Sequence, residues 1–473
     1  MTNTELTLLD KQILAEFESL PKGFWDFKEA KTDIMVHTLH PYPAVMIYPI
    51  SKTIIEIISK HKDINCLFDP FSGSGTVIVE GQLHNIEKVI ANDLNPLANL
   101  ITEAKTKILN NIDFETIYKI RDKIDYLGDK YRDLVASFAD FVLNNYSIVE
   151  KGEWSSNAGE ITNKFFEGKI KDYKIFIPSI TNLGFWFRPE TIMPIFLIKE
   201  VIDNLTTKNA KSFLYCSLSE TIRFVSNTRN GEFKLYRMTE KSITSKYFDV
   251  FKEFLRVLDK NISKEEEYKK NLPSSLMSNV EYHVEDCRVL SGIKDSSVDL
   301  VITSPPYGDS HTTVAYGQFS RLSNDLLGLS EITNIDSILL GGKKIKNRSL
   351  EYLASKTLTS IYNEISKVDV KRANEVLDFY YDLDDSIKAI ADKTKKEGYQ
   401  FWVVGNRTVK KVHIPTDVII EELGLKYGLI PMTRFYRVIS NKVMPSLNSP
   451  TNISGQTIST MCDETILVLK KAQ

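Results

Sequence analysis

The sequence predicts an α/β fold: a mostly parallel sheet covered by helices on both faces, split by a large, mainly helical insertion. Two observations carry that prediction. Short apolar runs ending in an acid or a turn recur towards both ends of the chain, and the early ones lead into helical patterns. Between the second and third runs lie roughly 165 residues that break this rhythm, far more than an ordinary loop holds.

The elements follow in order. Ile64 to Asp69 (INCLFD) is an apolar run that enters PFSGSGT and then the amphipathic VIVEGQL, which reads as strand, tight loop and helix. Lys88 to Asp93 (KVIAND) is a second strand, followed by the helical LNPLANLITEAKTKI. Val280 to Asp286 (VEYHVED) and Val298 to Thr303 (VDLVIT) supply the third and fourth strands. Tyr399 to Val404 (YQFWVV) and Glu464 to Leu469 (ETILVL) add two late ones. Residues 1–109 are thus expected to form the first part of the core. Residues 110–272 form the insertion, with helical stretches such as ETIYKIRDKIDYLGDKYRDLVASFADFVL and ETIMPIFLIKEVIDNL. Residues 273–473 complete the core around a variable segment, 308–396, that carries the basic run GGKKIKNR.

Composition excludes some classes and leaves others open. The 473 residues hold 60 Lys and Arg against 62 Asp and Glu, so any phosphate-binding face must be local. Four scattered cysteines (Cys66, Cys216, Cys287, Cys462) make no CxxC pair, and no His cluster has metal spacing. A disulfide framework or structural zinc is therefore disfavoured, and no metal is expected. No apolar run is long enough to span a bilayer, and MTNTELTLLDKQ has no apolar signal core, so a cytoplasmic location and no membrane partner are expected.

Two motifs carry chemistry. In FDPFSGSGT (Phe68 to Thr76), Gly73 and Gly75 let the backbone turn sharply after a strand and come close to a ligand. The following helix points its amide end the same way. Alone, such a loop is more often just a tight strand-to-helix turn. Asp93, however, ends the next strand about 20 residues later, where an acid can accept both hydroxyls of a ribose. Asp286 closes the third strand, placed to meet an adenine amino group. Each acid alone is more often a solvated strand end; three in register are harder to dismiss. The second motif, TSPPYGDS (Thr303 to Ser310), follows the fourth strand. Two prolines fix φ and stiffen the neighbouring carbonyls. The Ser304 hydroxyl and the Pro305 carbonyl can then accept both hydrogens of an aromatic amine, and Tyr307 offers a flat face for a base taken out of the duplex. By itself the motif is a proline turn. In an open α/β sheet, both loops lie at the carboxyl edge where ligands bind.

Together these motifs resemble the amino-methylating DNA methyltransferases, with SPPY in the form seen in the cytosine-N4 branch. The resemblance covers about 300 residues at the two ends of the chain and implies a Rossmann-like core that binds S-adenosylmethionine. It assigns Asp69, Phe71, Gly73, Gly75, Thr76, Asp93 and Asp286 to the cofactor, and Ser304, Pro305, Pro306 and Tyr307 to catalysis. HPYPAVMIYP (His40 to Pro49), with Tyr42, resembles the segment closing over the methionine end. VVGNR, KVMPSLNSP and TMCDETILVL look like closing strands of the same branch. The cofactor loop precedes SPPY, whereas many members have the opposite order; permuted orders occur across the family. The implied partners are double-stranded DNA and a companion restriction endonuclease.

The chemistry needs no protein nucleophile. An exocyclic amine is a weak nucleophile because its lone pair is delocalised into the ring. Hydrogen bonds to Ser304 and the Pro305 carbonyl draw the nitrogen towards tetrahedral geometry for in-line attack on the sulfonium methyl, so the gain comes from positioning and electrostatics. Methylation at cytosine C5 would need a cysteine, typically after proline, and none of the four follows one. Adenine N6 and, less readily, guanine N2 of RNA present similar amines, and a non-catalytic DNA-binding protein on the same scaffold is a further alternative. Lys343, Lys344, Lys346 and Arg348 are candidates for phosphate contacts, as are Arg223, Arg229 and Arg237, though such residues are as often a solvated or structurally paired face. Asn406 and Arg407 follow the fifth strand at the active edge and are candidates for substrate contact. The aromatics of GFWFRPE (Gly184 to Glu190) read mainly as core, and His40 and His311 receive no role.

Overall fold

The computed structural model describes residues 6–229, 231, 233–309, 313–329, 334–439, 447–448, 458–459 and 463–472. His311 and most of KVMPSLNSP lie outside them. Seven strands form the central sheet: β1 (Cys66–Asp69), β2 (Lys88–Asn92), β3 (Asn279–His283), β4 (Val298–Thr303), β5 (Thr394–Gly405), β6 (Leu429–Val438) and β7 (Asp463–Lys471). Their order is β3-β2-β1-β4-β5-β7-β6, and β7 alone runs opposite to the other six. The nucleotide-binding order 3-2-1-4-5-6 is thus kept, with one hairpin strand pushed between the last two. Two small ladders stand apart, Arg407–Val409 with Val412–Ile414 and Leu447–Asn448 with Ile458–Ser459.

Thirteen helices of eight residues or more accompany the strands among the described residues: α1 (Leu8–Glu18), α2 (Tyr48–His61), α3 (Thr76–Leu83), α4 (Pro96–Thr106), α5 (Asn111–Asn145), α6 (Glu153–Phe166), α7 (Pro189–Asp203), α8 (Lys208–Val225), α9 (Val250–Asn271), α10 (Tyr316–Leu327), α11 (Lys356–Ser366), α12 (Val370–Lys393) and α13 (Thr416–Leu425). The sheet is apolar on both faces, as a covered parallel sheet must be. Along β5, Tyr399, Phe401 and Val403 join Leu67 and Leu300 against α1 to α3, while Trp402 and Val404 join Phe68 and Val301 against α11 to α13. Asp10 of α1 is buried and accepts from Lys470 of β7 at 2.8 Å and from the Tyr399 hydroxyl of β5 at 2.5 Å, so the first helix and the last strand are bonded together.

The insertion is helical, α5 to α9, and shares one continuous apolar cluster with α4 and α10. Its 35-residue helix α5 starts at a reciprocal cap between Asn110 and Asp113 and buries Ile117, Ile120, Ile124, Leu127, Tyr131, Val135 and Phe138 at helical spacing.

Boundaries shift where side chains capture backbone. β3 ends at His283 rather than Asp286 because the Asn92 amide takes the next stretch, accepting from Glu285 N and donating to its carbonyl. β1 begins at Cys66 because Asp299 accepts both Asn65 N and Cys66 N. Sequence reasoning missed β6 altogether, since LIPMTRFYRV contains a proline and does not alternate cleanly. The structure tolerates Pro431 because β6 is an edge strand and its register slips there, opposite Val468 and Leu469.

Candidate active site

Strand order reverses between β1 and β4, which opens a crevice at their carboxyl ends. Asp69 ends β1 and Thr303 ends β4, and the Thr303 hydroxyl donates to Asp69 at 2.7 Å, tying the two loops together. Phe71 N donates to the same carboxylate at 3.1 Å. Burial dominates nonetheless and pushes the Asp69 carboxyl up to about 7.

The glycine loop is held by short bonds. Gly75 N donates to Ser72 O at 2.7 Å, and the Thr102 hydroxyl donates to Gly73 O at 3.1 Å. Gly75 sits at φ +78°, and an added Cβ would lie 2.8 Å from both Thr102 Cγ2 and Oγ1. Gly73 N donates to Asp93 at 2.9 Å and Asn95 N donates at 2.8 Å, which fixes that carboxylate at the end of β2. Burial raises Asp93 to about 6 against those two bonds.

These loops enclose a cavity of about 880 Å³, including its open mouth. Of the sequence-predicted residues, Tyr42, Asp69, Phe71, Gly73, Thr76, Asp93, Asp286, Ser304 and Pro306 line it. Gly75, Pro305 and Tyr307 stand beside it. Asp286 shares its carboxylate with Arg288, whose Nε donates at 2.8 Å and which also pairs with Asp382 at 2.7 Å. Ser72 and Ser74 have buried hydroxyls without a hydrogen-bond partner, and both lie in the wall. Unspent hydroxyls beside an acid and the flat face of Phe71 suit a ligand with a polar chain and an aromatic part.

Sequence reasoning missed part of the wall. Tyr316 opens α10 and packs 6.1 Å from the Tyr42 ring, centroid to centroid, and Ile338, Leu339 and Leu340 close another side. All four come from the segment read as variable, where no periodic or motif signal marks them.

Within SPPY, the Tyr307 hydroxyl donates to Glu464 of β7 at 2.9 Å and lies 3.2 Å from Ser304 Oγ. Arg437 of β6 pairs with the other Glu464 oxygen at 2.6 Å. The outlying candidates divide. Lys343, Lys344 and Lys346 are exposed, whereas Arg348 is held bidentately by Asp378, both contacts at 2.7 Å. Arg407 donates to Asp309 at 3.3 Å behind Gly308, with its Nε and Nη2 buried and without a partner; Asn406 Oδ1 beside it is likewise buried and unpartnered. Arg237 donates to three backbone carbonyls of the insertion, Arg223 lies over the Phe319 ring, and the backbone of Arg229 pairs with Tyr236. Phe187 of GFWFRPE is fully buried in the helical core. Among the described residues no three His, Cys, Asp or Glu side chains gather at metal distance, and no helix is long and apolar enough to cross a membrane.

The sheet order and crevice are those of a Rossmann-like methyltransferase core, and the family this chain matches takes its methyl group from S-adenosylmethionine. A family model, D12 class N6 adenine-specific DNA methyltransferase, matches residues 48–372, and the chain belongs to that family of DNA methyltransferases. The Type II methyltransferase M.MvaI of Kocuria varians is 41% identical over 458 residues, which cover 94% of this chain and 93% of that protein. Among solved structures, TTHA0409 of Thermus thermophilus, a proposed DNA modification methylase, covers 40% of this chain and 51% of its own at 18% identity and TM-score 0.20. The rRNA methyltransferase aviRa of Streptomyces viridochromogenes covers 91% of this chain and 88% of its own at 10% identity and TM-score 0.28. Superpositions this loose carry no argument about the site.

Proposed function

We propose that this chain methylates the N4 amino group of cytosine in double-stranded DNA, as the modification half of a restriction-modification system with a companion endonuclease. The observation that carries this reading is that Ser304 and Pro306 share one cavity wall with Gly73 and Asp93. A target amine bonded to Ser304 Oγ and the Pro305 carbonyl would then face whatever the glycine loop holds. Serine rather than an acid heads the motif, the form the cytosine-N4 branch carries. The likeness to a Type II methyltransferase supports the biological role.

In this reading, Asp93 accepts the ribose hydroxyls, Asp286 meets the adenine edge, Phe71 covers its face, and Ser72 and Ser74 serve the polar chain. Bound S-adenosylmethionine supplies the electrophilic methyl. Ser304 and Pro305 orient the amine, and Tyr307 stacks against a base flipped from the duplex. Lys343, Lys344 and Lys346 are free to meet phosphates; Arg348 is already engaged by Asp378.

A second reading, adenine N6, is favoured by the description of the matched family. Nucleoside mass analysis of unmodified DNA after incubation with enzyme and labelled S-adenosylmethionine separates the two. N4-methylcytosine is expected; N6-methyladenine would overturn the choice of base and keep the remainder. Transfer to RNA alone would overturn DNA as the substrate.

Cofactor affinity should also depend on pH. Asp93 must be ionised to accept two hydroxyls, and its carboxyl is raised to about 6. The sign follows: affinity is full at pH 7.5 and above and falls by about tenfold per pH unit below 6, as the proton returns. Calorimetric titration between pH 5 and 8 should show this bend, and Asp93→Asn should bind weakly with the bend abolished. An affinity flat across that range would remove Asp93 from the role.

A further inference from the structure

Three side chains from two distant parts of the chain meet at the cavity wall: Ser304 and Tyr307 from the loop after β4, and Glu464 from the start of β7. The proton count in this chain has one solution. A carboxylate only accepts, so the Tyr307 hydroxyl spends its single proton on Glu464. The 3.2 Å contact between Tyr307 and Ser304 is then made with the Ser304 proton. A serine hydroxyl whose proton points back at tyrosine turns only lone pairs to the cavity.

We infer that Glu464 is a positioning residue for methyl transfer: acting through the Tyr307 hydroxyl, it commits Ser304 Oγ to be an acceptor for the target amine. This rests on the reading of Ser304 as an amine ligand. An unconstrained serine can present either its proton or its lone pairs, and its proton would oppose an incoming N–H. Removing that choice before the base arrives is preorganisation.

The sheet explains why Glu464 can hold the part. It lies opposite Gly405 of β5 and Arg437 of β6, in the strand inserted antiparallel between them. The Arg437 guanidinium takes one carboxylate oxygen at 2.6 Å and also donates to the Trp25 carbonyl at 3.1 Å. One oxygen is thus anchored to the sheet edge and the N-terminal segment, and the other is left for tyrosine. Tyr307 is half-buried, and burial of its hydroxyl together with the Glu464 charge pushes that hydroxyl well above the ordinary tyrosine range, which keeps the proton on the chain.

A bracing role for Glu464 and an orienting role predict different couplings, so the test is a double-mutant cycle. Tyr307→Phe, Glu464→Gln and the pair are compared in single-turnover methyl transfer with DNA and S-adenosylmethionine saturating, alongside Ser304→Ala. The phenylalanine keeps the ring face for stacking and removes only the relay. Each single variant is expected to slow the step by roughly tenfold or more, with cofactor and DNA affinities unchanged. Glu464→Gln should cost almost nothing further in the Tyr307→Phe background. Equal losses from Glu464→Gln in both backgrounds, or a Tyr307→Phe enzyme at full rate, would overturn the proposal. The melting temperature of Tyr307→Phe checks that its fold is intact. If Ser304→Ala is itself silent, the reading of the motif fails; if Ser304→Ala is severe while Tyr307→Phe is silent, only the relay fails.

Discussion

Replacing Ser304 by alanine is expected to slow methyl transfer by roughly 10²- to 10³-fold while leaving S-adenosylmethionine affinity within a factor of about two. The hydroxyl is one of two acceptors proposed for the amine, and the other, the Pro305 carbonyl, survives the change. The substitution removes a single hydroxyl from the cavity wall and leaves the Tyr307–Glu464 bond in place at 2.9 Å. The glycine loop, Asp93 and the Thr303–Asp69 tie are untouched, so the cofactor side should not notice. Single-turnover rates and cofactor titration together make the comparison. A variant that transfers methyl groups at the parental rate would sink the assignment of Ser304.

Gly75→Ala is expected to lower the melting temperature by several degrees and weaken cofactor binding by about tenfold or more. Two costs combine. The residue sits at φ +78°, where a Cβ adds about 1–2 kcal/mol. That Cβ would also lie 2.8 Å from Thr102, which is fully buried and cannot simply swing away; overpacking of this kind costs about 1–3 kcal/mol. Stability therefore falls by about 2–5 kcal/mol. The functional loss follows from the same contact. Thr102 braces Gly73 O, and Gly73 N holds Asp93, so pushing Thr102 shifts the carboxylate that serves the ribose. Adding Thr102→Ser, which removes the clashing methyl and keeps the hydroxyl, should restore part of both. Unchanged melting and binding in Gly75→Ala would show that the loop has slack the geometry does not suggest.

The parts of this molecule legible in the sequence are those whose physics is local. β4 is read to the residue because VDLVIT is largely apolar and ends against a proline turn. The glycine loop is read because only glycine takes its turn, and α5 because its apolar positions repeat at helical spacing over many turns. What could not be read depends on partners distant in sequence. Pro431 argues against a strand until its edge position and the slipped register are known. Arg348 looks like a free cation in a basic run until Asp378, thirty residues away, is found beside it. Tyr316 and Leu340 carry no pattern that marks them as cavity wall, and Glu464 reads only as the polar first residue of a strand. Asp286 falls between the two: its proximity to the cavity follows from the strand, but its pairing with Arg288 and Asp382 does not.

The bond between Asp10 and Lys470 bears on the order in which the motifs occur. With α1 and β7 already touching, a short connector could join those two elements without moving a strand. Opening a chain so joined at a different surface loop would leave every strand and both motifs in place while reversing which motif comes first. The glycine loop ahead of SPPY therefore reflects the order in which the elements are connected, and says nothing about how the crevice is built.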